Sequence, residues 1–118
     1  MNEVRLSDTN FYPVGANGPI FLKVEIGDQQ VGGTALTLNG RLLPFNPGGE
    51  TTIGSPRQDL RGSVLQVVTT VRDINPATNR TSVMHRFRGG AVEVTFPYEI
   101  SVSAEKGTAR YFITYVLI

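Results

Sequence analysis

The run Tyr111-Phe112-Ile113-Thr114-Tyr115-Val116-Leu117-Ile118 limits what this chain can fold into more than any other feature. β-Branched and aromatic residues dominate it, which favours a strand. Successive side chains of a strand point to opposite faces, and here both faces are apolar. Left at a sheet edge, such a strand is a template for aggregation. The run is therefore expected in the middle of a sheet or in a contact with another chain.

The rest of the sequence repeats the β signal. Glycines and prolines punctuate it at short intervals, and between them apolar residues alternate at period two. No helical stripe competes with this pattern. Residues 20–26 form the first clear strand, with Ile20, Leu22, Val24 and Ile26 on one side, and residues 27–30 turn the chain. Residues 34–38 and 41–45 flank Asn39-Gly40, a pair that tolerates the positive φ of a type I′ hairpin turn. Residues 44–56 are rich in turn formers and hold at most a short strand at 51–53. Residues 63–73 and 80–88 read as a second hairpin. Its expected core face carries Leu65, Val67, Thr69, Val71, Thr81, Val83, His85 and Phe87. Residues 92–104 alternate again, but Pro97 lacks an N–H and marks an edge, a bulge or a break. A turn at 105–108 leads into the C-terminal strand by a hairpin. Residues 1–18 are a first strand plus loop, or an arm reaching a neighbour. The expectation is one domain, 1–118. It is an all-β, antiparallel β-sandwich of about seven to nine strands, jelly-roll or immunoglobulin-like.

Composition narrows the function classes. The chain has no cysteine, which excludes disulfides, thiol catalysis and cysteine metal sites. Its formal net charge is +1, which gives no basis for a nucleic-acid partner. Nothing is long enough to span a membrane, and the N-terminal residues lack the basic and apolar regions of a signal peptide. A cytoplasmic location is the corresponding expectation. Arginine outnumbers lysine nine to two, which suits a contact surface but also follows from codon bias.

No residue set points to catalysis, a cofactor or a metal. His85 is the single histidine and falls on the core face, where a hydrogen-bonded structural role is expected. Glu93 and Glu99 lie on the outer side of one strand, too far apart for paired acid–base work. The loop at 73–79 offers oxygen donors from Asp73, Asn75, Thr78 and Asn79, but only one carboxylate, so turn formation explains it better than calcium. Tyr12, Tyr98, Tyr111 and Tyr115 could form a carbohydrate-stacking platform, but the chain has no tryptophan, and Tyr98 and one of the C-terminal pair are more economically placed in the core.

Two readings remain. The leading one is a non-enzymatic module that works by protein contact, self-associating or part of an assembly. Its contact surface is the outer face of the 63–88 hairpin: Val64, Val68 and Met84 interleaved with Arg86 and Arg88, with Arg72 and Arg80 nearby. The alternative is a ligand-binding sandwich of carbohydrate type, using the 44–56 loop and Asp73, Asn75 and Asn79.

Overall fold

The computed structural model describes residues 3–15, 18–102 and 107–118. Among them are nine strands: β1 (Glu3–Tyr12), β2 (Ile20–Ile26), β3 (Val31–Leu38), β4 (Arg41–Leu43), β5 (Glu50–Ile53), β6 (Val64–Arg72), β7 (Arg80–Arg88), β8 (Val94–Ser101) and β9 (Thr108–Leu117). They form a five-stranded sheet, in the order β1-β9-β6-β3-β4, packed on a four-stranded sheet, in the order β5-β2-β7-β8. The expected all-β sandwich is present, but its topology is mixed. β1 runs parallel to β9, from Glu3 opposite Thr108 to Tyr12 opposite Leu117, while the other pairings are antiparallel.

The apolar C-terminal run becomes β9 and sits between β1 and β6. Ala109, Tyr111, Ile113, Tyr115 and Leu117 point inward and are fully buried. Removing large apolar side chains of this kind from water stabilises a fold by about 1.5–3 kcal/mol each. Tyr12, Phe87, Tyr115 and Phe96 meet at the centre of the sandwich. The Tyr12–Phe87 and Phe87–Tyr115 ring centroids are 4.6 Å apart, and those of Phe96 and Tyr115 are 5.2 Å apart. Tyr12 thus joins the core that the sequence reserved for Tyr98 and one of the two C-terminal tyrosines.

Local turn chemistry is as expected. Asn39 and Gly40 adopt φ of +51° and +82°, and Leu38 lies opposite Arg41 across the turn. The 51–53 segment is the short strand β5, and residues 3–12 form a strand rather than an arm. Pro97 lies on β8, at an edge of its sheet, where a missing N–H removes no ladder bond.

Two expected hairpins are instead crossings between the sheets. β6 pairs with β3 and β9, whereas β7 pairs with β2 and β8, so the 73–79 loop is an arch. β8 and β9 also belong to different sheets. The expected turn between them includes Glu105 and Lys106, outside the described residues. The face assignment within β6 and β7 nevertheless holds. Leu65, Val67, Thr69, Val71, Thr81, Val83, His85 and Phe87 are all fully buried, but the two sets face each other across the core instead of lying side by side.

Candidate contact surface

The arch divides the surface expected of the 63–88 segment. Val64 and Val68 lie on the outer face of the five-stranded sheet, while Met84, Arg86 and Arg88 lie on the outer face of the four-stranded sheet. These five residues therefore occupy opposite sides of the sandwich and form no common patch. Arg72 is separated from Arg80, Arg86 and Arg88 in the same way.

The outer face of the four-stranded sheet is charged with both signs. Lys23 lies opposite Glu50 and Arg86, and Glu99 lies opposite Ser82. Arg88 makes a two-pronged bond to Glu50, at 2.5 and 2.6 Å, and its guanidinium sits 4.3 Å from the Phe21 ring centroid. The hydrogen bonds from Arg88 hold the Glu50 carboxyl below its usual pKa. Arg80 bonds Asp28 at 2.9 Å and lowers its carboxyl pKa likewise. Interleaved, solvated pairs of this kind each contribute little to stability and suit a water-facing surface.

The outer face of the five-stranded sheet is different. Its central row reads Ser7, Phe112, Val68 and Ala35 across β1, β9, β6 and β3. The next row reads Thr9, Thr114, Gln66, Thr37 and Leu42, and beyond it lie Phe11, Val116 and Val64. None of these side chains is charged. Phe11 is 60% exposed, Leu42 71% and Val64 37%, so the apolar members are open to a partner. Formal charge on this face is confined to one end, where Arg5 and Arg110 both approach Glu3, at 3.5 and 3.3 Å, and where exposed Arg72 lies between Thr108 and Val31. Phe11, Ala35, Phe112 and Val116 were missed by sequence reasoning. The signal that could have found them is the outward register of β9 once its neighbours are known.

The 73–79 loop is built by its own polar groups. Gln30 is buried beneath it and donates to Asp73 Oδ1 at 2.8 Å. Gln30 Oε1 accepts the backbone N–H groups of Ile74 and Asn75, at 2.7 and 2.8 Å. Asn75 Oδ1 accepts from the Ala77 N–H, and its Nδ2 donates to the Asp28 carbonyl. Asp73 and Asn75 therefore serve the arch, while Asn79 is exposed and its carbonyl accepts the Val102 N–H. In the 44–56 segment Asn46 closes its own turn, its N–H bonded to Thr51 Oγ1 and its Nδ2 to the Glu50 carbonyl. The cleft lined by Phe45, Pro47 and Gly48 includes no residue of 73–79, so the two loops do not share it. Among the described residues no group of three or more His, Cys, Asp or Glu is placed to hold a metal ion.

His85 is fully buried, with Nδ1 2.6 Å from the Tyr115 hydroxyl. The Tyr115 and Tyr98 hydroxyls are 3.4 Å apart, and Asn10 Nδ2 donates to Tyr98 at 2.5 Å. Desolvation pushes the imidazole pKa down to about 4, so the ring is neutral at pH 7. Burial also pushes the Tyr115 hydroxyl pKa far upward. His85 Nε2 is buried with no partner among the described residues. Among the described residues the hydrogen-bond partner of the ring is the Tyr115 hydroxyl, and no carboxylate bonds it.

Fold and surface together define a two-layer β-sandwich with one charged and one largely uncharged outer face. The chain matches no protein-family model, no curated protein and no solved structure.

Proposed function

We propose that this domain is a non-enzymatic contact module that self-associates, or packs within a larger assembly, through the outer face of its five-stranded sheet. The observation that carries this reading is the difference between the two outer faces. One is covered by paired charges, the other by threonine and exposed Phe, Val and Leu side chains. Solvated sheet faces normally alternate with charge, and a face without it is suited to docking. Packing of one sheet on another, about 10 Å apart, is the corresponding mechanism.

The test is a pair of charge substitutions read by light scattering coupled to size-exclusion chromatography. Phe112→Glu and Val68→Glu should lower the associated fraction, because each puts a carboxylate in the central row. Met84→Glu, on the opposite face, should leave it unchanged. Equal behaviour of all three variants would show that this face is not the contact.

A further inference from the structure

The two sides of the sandwich are closed differently. On one side, β1 and β8 are joined by the Asn10–Tyr98 bond. On the other side, the edge strands are too short. β4 has three residues and covers only Leu36 to Leu38 of β3, and β5 has four and covers only Ile20 to Lys23 of β2. This leaves 31–35 of β3 and 24–26 of β2 as open edges. A cleft of about 750 Å³ lies between them, lined by Val24, Ile26, Gly32, Thr34, Phe45 and Pro47 among others.

The direction of the free backbone groups follows from the ladder. The Asn39 N–H bonds the Val64 carbonyl at 2.8 Å, and Leu38 lies opposite Arg41 across a two-residue turn. Alternate residues of an antiparallel strand send both N–H and C=O to the same side. Odd-numbered residues of β3 therefore bond β6, and even-numbered residues face away. Gly32 and Thr34 have no backbone partner among the described residues, and a sheet edge of this kind accepts another strand.

We propose that this edge pairs with the same edge of a second copy, antiparallel about a two-fold axis at Gly33. The proposal rests on the self-association reading above and adds a second contact, in which the edge makes the dimer and the sheet face serves packing within a larger assembly. Three observations select a second copy as the occupant. The free stretch is self-complementary. With Gly33 opposite Gly33 of the second copy, Gly32 falls opposite Thr34 of the second copy, so all the unpaired groups of one edge meet those of the other. The same register sets Val31 against Ala35 of the second copy, and both are exposed apolar residues on the outer face. The strand also lacks the devices that block such pairing. No charged residue or proline occurs in 29–38, whereas β8 carries Pro97 and Glu99, β1 carries Arg5 and Asp8, and β5 carries Glu50. The pairing would join the outer faces of the two five-stranded sheets into one continuous sheet at the Val31 and Ala35 positions, with Arg72 beside Val31. A strand added at β3 also lies beside the mouth of the cleft.

Gly33 allows a direct test. A Cβ added there meets nothing within 4 Å, whereas one added at Gly32 would meet the Thr70 carbonyl oxygen at 2.1 Å. Gly33→Lys and Gly33→Glu are therefore accommodated by the single copy, and unchanged thermal unfolding of dilute samples checks this. In the dimer the two residues at this position face each other at a Cα separation of about 4.5 Å, so like charges oppose pairing. Light scattering over a concentration series should show a dimer for the unaltered chain, a monomer for each variant alone, and a dimer restored when the two variants are mixed. Variants that remain dimeric would overturn the edge pairing, and loss of that dimer in Phe112→Glu would leave the sheet-face reading standing. A mixture that stays monomeric would overturn the two-fold register. An unaltered chain that is monomeric even at millimolar concentration would overturn edge pairing and self-association together.

Discussion

At the scale of single residues, His85 carries the clearest pH signature. Its folded pKa of about 4 lies below the unfolded value of 6.5, because the buried ring has no counter-charge. Between these values the unfolded chain binds a proton that the folded chain does not. Stability from this group is therefore full above about pH 6.5 and falls as pH drops toward 4. Below 4 both states carry the proton and the loss stops growing. The total is about 3 kcal/mol. Urea unfolding from pH 7.5 to pH 4 should show this fall in the unaltered chain. His85→Phe should remove it, although the variant also forfeits the Tyr115 hydrogen bond at every pH. The difference in slope between the two proteins isolates the imidazole from the carboxylates of Asp28 and Glu50, whose lowered pKa values add their own loss as pH falls further.

At the scale of elements, the arch between β6 and β7 depends on one side chain from a different turn. Gln30 links Asp73, Ile74, Asn75 and Arg80. Gln30→Ala would strand a buried carboxylate and two backbone N–H groups. The expected cost is about 3 kcal/mol, read as a lower urea midpoint with an unchanged slope. A loss under about 1 kcal/mol would mean that water replaces the clamp. The same arch marks the limit of what the sequence made legible. Period-two alternation reports which face of a strand is buried, and that was right along β2, β6 and β7. It does not report which strand lies alongside, because a hairpin and an arch bury the same alternate residues. The Asn39-Gly40 hairpin was readable because its turn is specified by two adjacent residues. The arch was not, because its specifying contact comes from Gln30, more than forty positions away from Asp73. The contact surface inherited this error. Val64 and Val68 were correctly read as outward, yet were grouped with Met84, Arg86 and Arg88 on the wrong sheet. The open edge at Gly32 and Thr34 was invisible for a related reason, since it depends on how far β4 and β5 extend.

At the scale of the whole molecule, the parallel pairing of β1 with β9 closes the five-stranded sheet. β1 covers the side of β9 that β6 does not, and Tyr12 stacks on Phe87 in the core. A chain lacking residues 1–12 should leave β9 as an exposed, largely apolar edge. Aggregates measured by static light scattering are expected where the full chain gives discrete species, and a soluble, folded truncated chain would count against a structural role for β1. The same pairing has a consequence for biosynthesis. A ribosome delivers β1 before every other strand and β9 after them, so the strand that joins β1 to the rest of the larger sheet arrives last. Until it does, β1 has no neighbour and β6 has only one. Folding of this sheet must then wait for synthesis of β9, and the half-made chain is the species that most needs protection by chaperones.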